Sequence, residues 1–174
     1  MSTLKTPVTS SDHIQGDPQA SIILVEYGDY QCLHCGHAYP IVKRVQKRLG
    51  SRLAVVFRNF PLREAHAEAE LGAETAEFAG AHGRFWEMHD ALFENQENLG
   101  LPLVLELAQT LKLPADQLEI ALTDGTYADR VQADFIGGVR SGVNGTPTFF
   151  INGRRHDGRF EFEDLVTAIE SRQD

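Results

Sequence analysis

Cysteine is nearly absent from this chain: of 174 residues only Cys32 and Cys35 carry a thiol. Two cysteines allow one intramolecular disulfide and no second pair for a structural zinc site. Long apolar runs are missing too. No stretch approaches the ~18 consecutive apolar residues that span a bilayer. The start, MSTLKTPVTSSDH, lacks the apolar segment of a secretory signal. The opening Met1 then carries the expectation of a cytoplasmic protein, or of a periplasmic one if a leader was removed. Basic residues are scarce, at 16 Lys and Arg against 25 Asp and Glu, net −9. Nucleic acid, which needs a basic footprint, is a poor fit. Residues 63–142 carry the excess, net −10 against +1 for the rest. These acids read as solvated helix faces. No internal repeat or low-complexity tract is visible.

What is present has an order. A composition 42% hydrophobic is enough for one well-buried core with room for an insertion. Residues 1–20 are polar and read as an arm, with residues 1–11 outside the fold proper. SIILVEY (21–27) reads as a buried strand. Beyond Cys32, Ala38, Ile41, Val42, Val45 and Leu49 recur at helical spacing and Gly50 supplies a stop. Pro40 falls inside that helix, where a kink is expected. RLAVVFRNF (52–60) is a second strand, and strand–helix–strand favours a parallel pair. Residues 63–142, rich in Ala, Glu and Leu and broken by Gly and Pro, predict four or five helices. PTFFINGRRHDGRF (147–160) turns back to β, with Asn152–Gly153 as a two-residue hairpin signal. Phe162, Leu165, Val166 and Ile169 then mark one face of a last helix.

C-x-x-C beside a strand–helix–strand unit reads as a redox pair. Cys32 is placed at the first turn of the helix, where free N–H groups and the positive dipole end favour the thiolate. Cys35, one turn on, can attack a mixed disulfide formed on Cys32. A thiol lowered from ~8.5 to ~6.5 rises from ~3% to ~75% ionised at pH 7. The redox poise moves by only ~20 mV. The position therefore predicts reactivity and leaves the direction of exchange open. As an imidazolium, His34 can stabilise the thiolate further; the alternative is an exposed polar residue. A metal site from Cys32, His34, Cys35 and His37 is the rival, but four ligands crowded on one helix start cannot converge tetrahedrally. Two core cysteines would have no reason to bracket a helix start.

EYGDYQCLHCG (26–36), FRNFPL (57–62), GRFWEMHDALFENQ (83–96) and GVNGTPTFFINGRRHDG (142–158) together resemble the DsbA family of bacterial thiol–disulfide oxidoreductases. The likeness spans roughly residues 12–172. It implies an α/β thioredoxin fold, residues 12–62 and 143–174, with a helical domain, 63–142, inserted between the βαβ unit and the C-terminal hairpin and helix. It also implies that Pro147 is a cis-proline and that the Thr146 backbone pairs with an extended substrate. Glu26, in an apolar strand, matches the family's buried acid. Its pKa is then raised and it takes the Cys35 proton; the alternative is an edge glutamate facing water. Leu33 stands where many members have proline, which puts the redox poise in doubt but keeps apolar bulk at the substrate-binding rim. Trp86, Phe85 and Phe93 read as packing residues, and His66, His82 and His89 as structural or surface histidines.

The expectation is an enzyme that exchanges disulfides with protein or peptide thiols through Cys32–Cys35. It needs no cofactor or metal beyond that pair, and glutathione or an unidentified protein serves as redox partner. The alternatives are a peptide-binding holdase or adaptor with incidental thiols, and a glutathione-linked transferase or isomerase. Relatives of the last kind often lack the second cysteine.

Overall fold

The computed structural model describes residues 2–172. Met1, at the start of the expected arm, and Gln173–Asp174, at the end of the expected thioredoxin-like domain, lie outside the described residues. Five strands form one sheet in the order β1-β3-β2-β4-β5. They are β1 (His13–Gln15), β2 (Ile22–Gly28), β3 (Leu53–Asn59), β4 (Thr148–Ile151) and β5 (Arg154–His156). Helix α1 (Leu33–Leu49) crosses from β2 to β3, and these two strands pair in parallel. β4 joins the other side of β2 antiparallel, so β2 is central. Between β3 and β4 run five helices: α2 (Ala69–Ala81), α3 (Phe85–Glu94), α4 (Leu101–Thr110), α5 (Ala115–Asp124) and α6 (Ala128–Arg140). Helix α7 (Phe162–Glu170) ends the fold.

The unbroken apolar run of β2 follows from cover on both faces. Ile22 and Leu24 pack with Ile41, Val45, Leu165 and Ile169 of α1 and α7. Val25 and Tyr27 point the other way and pack with Phe60, Val143 and Phe150, under Leu4, Val8 and Phe135. Strand period two therefore assigns Glu26 to the α1 side. Helix α1 runs without interruption through Pro40 to Leu49, and Lys47 and Arg48 occupy its last turn, where cations suit the dipole. The hairpin turn has Asn152 and Gly153 both at positive φ, as a two-residue primed turn requires.

Two expectations are corrected. Residues 2–20, expected as a polar arm leading into the fold, are bound onto the sheet. Leu4 N–H donates to the Gly153 carbonyl and Arg155 N–H to that of Ser2, so the start of the chain covers the outer edge of the hairpin. Residues 13–15 form edge strand β1 against β3. The anchor is Arg58, buried in β3. Its guanidinium pairs with Asp12 at 2.7 Å and also donates to the carbonyls of Thr6 and Pro7 and to the Tyr27 hydroxyl. A buried charge must find partners, and the polar arm supplies them. Nor are all the acids of the helical block solvated. Glu74, Glu77 and Asp134 are buried. Glu77 accepts from Asn59 Nδ2 at 2.7 Å and pairs with His13; Asp134 accepts from the Asn59 backbone N–H at 3.0 Å and pairs with Arg130. This cluster joins α2 and α6 to the C-terminal end of β3, beside which the cysteines lie.

Candidate functional site

The site begins where β2 ends. Asp29, Tyr30 and Gln31 turn the chain into α1, and Cys32 is its N-cap, with extended φ −71° and ψ 120° and no side chain capping the free N–H groups. Both thiols are free; Cys32 is 4% exposed and Cys35 fully buried. The loop before β4 closes over them. Thr146–Pro147 is a cis peptide bond, and the Cys32 thiol donates to the Thr146 carbonyl at 3.5 Å.

The two sulfurs are polarised in opposite directions. A hydrogen bond from the Cys35 thiol is the main cause that lowers Cys32 to about 5. Burial opposes the shift, and Thr146 and the backbone N–H groups of Cys35 and His34 reinforce it. Such a thiol is ~99% ionised at pH 7, against ~3% for an ordinary one. The buried Thr146 Oγ1 has no partner beside a neutral thiol, and ionisation of Cys32 gives its hydroxyl an acceptor. Burial, the bond to Cys32 and the nearby Glu26 carboxylate push Cys35 well up. Glu26 itself is raised to about 8, first by burial and then by the Cys32 charge. Its strand neighbours are Phe57 and Phe149, and its Oε1 has no hydrogen-bond partner. The edge-glutamate alternative fails because β2 is the central strand. The acid faces a narrow slot of about 10 Å³, room for about one water, between α1 and α3, lined by Gln15, Lys43, Gln46, Trp86 and His89 among others.

The other sequence-derived residues fall around this pair. Leu33 is 77% exposed at the mouth. His34 is exposed, and the group it offers to Cys32 is its backbone N–H rather than its ring. His37 points away to Glu161, at 3.1 Å. Among the described residues no group of three or more His, Cys, Asp or Glu is placed to hold a metal ion.

Sequence reasoning missed two supports. Buried Asp29 accepts from the N–H of Gln31 at 2.7 Å and of Leu62 at 2.9 Å, and from His66 at 2.8 Å. It ties the cysteine turn to the chain leaving β3. An Asp two residues before the N–H it binds is a local signal that was available. The Tyr30 hydroxyl and His89 Nδ1 share a buried hydrogen bond at 3.0 Å. Burial lowers His89 to about 3, with Lys43 and His13 adding to the effect, so the ring is neutral. Nothing local in the sequence pairs two residues so far apart.

A family model described as "Thioredoxin" matches residues 8–171. The Na(+)/H(+) antiporter NhaA 1 of Salinispora arenicola is 41% identical over 160 residues, which are 92% of this chain and 24% of the antiporter. The chain thus spans about a quarter of the length of the curated relatives it matches. Oxidised BdbD from Bacillus subtilis superposes with a TM-score of 0.88 at 22% identity, covering 99% of this chain and 98% of BdbD. Wolbachia pipientis alpha-DsbA1 gives 0.83 at 22% identity, covering 98% and 94%. No helix among the described residues is long and apolar enough to cross a membrane. With its central parallel pair, helices between β3 and β4, and C-x-x-C at the start of α1, the chain belongs to the thioredoxin family and has the DsbA-type form of its fold.

Proposed function

We propose that the chain is a thiol–disulfide oxidoreductase acting on protein or peptide thiols. The opposite polarisation of Cys32 and Cys35 at one helix start carries this reading. In the oxidising direction a substrate thiolate attacks Cys32 Sγ of the disulfide. The S–S bond breaks, and Cys35 leaves and takes a proton, for which the protonated Glu26 is the nearby source. A second substrate thiolate attacks the substrate sulfur of the mixed disulfide. Cys32 departs as a stable thiolate, the substrate gains a disulfide and the enzyme keeps two electrons. A disulfide-bearing partner must then reoxidise it. In the reducing direction Cys32 attacks and Cys35 resolves, with Glu26 as base.

Residues 12–62 and 143–174 are read as the thioredoxin-like catalytic domain and 63–142 as the inserted helical domain. Leu33 and the Thr146–Pro147 loop are read as the substrate rim. His34 is read as supporting the thiolate through its backbone N–H. The antiporter name belongs to relatives four times as long. We read the stretch this chain shares with them as a redox module here, because it carries a thiol pair and no helix among the described residues is long and apolar enough to cross a membrane. Stabilised thiolate favours the reduced form and makes the pair oxidising. An oxidase role then requires an oxidising compartment or a dedicated oxidant. In a glutathione-buffered cytoplasm the same pair would stay largely reduced and serve as a reductase or isomerase.

Titrating Cys32 by thiolate absorbance and equilibrating the pair with glutathione tests this. The expected results are a midpoint near pH 5 and a potential above roughly −200 mV, more oxidising than glutaredoxins. A midpoint above pH 8 would remove the basis of the proposal.

A further inference from the structure

The stretch FENQ (93–96) spans the C-terminal end of α3, outside the thioredoxin-like strands, yet it reaches the thiol turn. Gln96 Nε2 donates to the Tyr30 carbonyl at 2.9 Å and to the Cys32 carbonyl at 2.8 Å. Two carbonyl acceptors fix which end of the amide faces them, since only the NH₂ end can donate. One side chain thus bridges the carbonyls on either side of Gln31. The same Cys32 carbonyl accepts the first α-helical bond, from Gly36 N–H at 3.0 Å. The end of α3 just before Gln96 packs on the same turn: the Phe93 ring centroid lies 4.9 Å from that of Tyr30 and 5.4 Å from that of Tyr39 on α1. The Gln96 Oε1 lies against Gly36 so closely that a Cβ there would overlap it.

We propose that Gln96 is a positioning residue through which the helical block sets the reactivity of Cys32. The N–H groups of His34 and Cys35 stabilise the Cys32 thiolate only while the turn before them keeps its orientation. Asp29 fixes the turn's start, and Gln96 fixes the carbonyls of Tyr30 and Cys32. A donor on the Cys32 carbonyl also offsets the negative end of that peptide dipole next to the sulfur. Gly36 is the matching half: only a residue without Cβ lets the amide approach.

The proposal rests on Cys32 being the nucleophile, so wild type is first equilibrated with glutathione. In Gln96→Met, which keeps the bulk and loses both donors, the pH midpoint for Cys32 alkylation is expected to rise by about one unit. The glutathione equilibrium constant should change about tenfold, equivalent to ~30 mV toward a more reducing pair. Gly36→Ala, which displaces the amide without touching either sulfur, should shift both in the same direction. In a Gln96→Ala background it should add nothing, because the obstruction is gone. Exposed Glu97→Gln serves as the control and should match wild type. A Gln96→Met protein with the wild-type midpoint and constant overturns the positioning role, even if its Tm falls. An equal Gly36→Ala effect with Gln or Ala at 96 also overturns it, and this pair decides if the Met variant does not fold. Failure of wild type to exchange at all overturns the functional reading instead.

Discussion

Cys32→Ser is expected to lose both insulin reduction and dithiol oxidation by at least ~10³-fold. A serine hydroxyl is un-ionised at pH 7, and the thiolate is the species that attacks disulfide sulfur. Every group that acidifies this position, namely the Cys35 thiol, Thr146 and the helix-start N–H groups, then has no anion to stabilise. Cys35→Ala should behave differently. Cys32 still attacks, but nothing nearby resolves the product, so a mixed disulfide with substrate accumulates and is seen on a non-reducing gel. The pair of variants also separates the holdase alternative, since a peptide-holding protein would suppress aggregation equally well without either sulfur. Wild-type redox turnover in Cys32→Ser, or no trapped species in Cys35→Ala, would end the oxidoreductase reading.

Glu26→Leu is expected to stabilise the oxidised protein at alkaline pH by on the order of 3–4 kcal/mol relative to acid pH. The sign follows from the direction of the shift. Burial raises the folded-state value to about 8, above the ordinary 4.5 of an unfolded chain. The wild-type contribution is therefore fully present below pH ~4.5 and is lost as pH rises through 8. Leucine has no such dependence. Urea unfolding of both proteins at about pH 4 and pH 9 should give curves that diverge only at the higher pH. Using the disulfide form leaves out the Cys32 charge, so burial alone is read. Reduction of substrate should slow in the variant at neutral pH, because Cys35 loses its proton acceptor. Parallel stability curves at the two pH values would show that the carboxyl is not buried as described.

Much of the architecture was legible along the chain. The alternation of apolar strand, amphipathic helix and apolar strand, the Ala- and Glu-rich block and the Asn152–Gly153 turn correspond to β2, α1, β3, α2–α6 and the β4–β5 hairpin. These are local signals, carried by periodicity and by turn residues with special backbone demands. β1 was not legible. His13–Gln15 is a three-residue polar strand at a sheet edge, and its placement depends on Arg58, more than 40 residues away, seeking a carboxylate. The acids of the helical block misled for the same reason. Charge composition describes a surface on average, but Glu77 and Asp134 are buried because Asn59 and Arg130 meet them in space.

For the site, the sequence by itself determined the two thiols, their helix start and an acid in an apolar strand. Those features depend only on neighbours within a few residues or on strand alternation. Tertiary structure decided what the groups become. Burial in the central strand, between Phe57 and Phe149, raises Glu26; the loop from Gly145 to Pro147 sets Thr146 against Cys32; Gln96 of the helical block grips the turn from outside. Each effect comes from atoms distant in sequence acting through desolvation or hydrogen bonds shorter than about 3.5 Å. Such proximity exists only once the chain is packed.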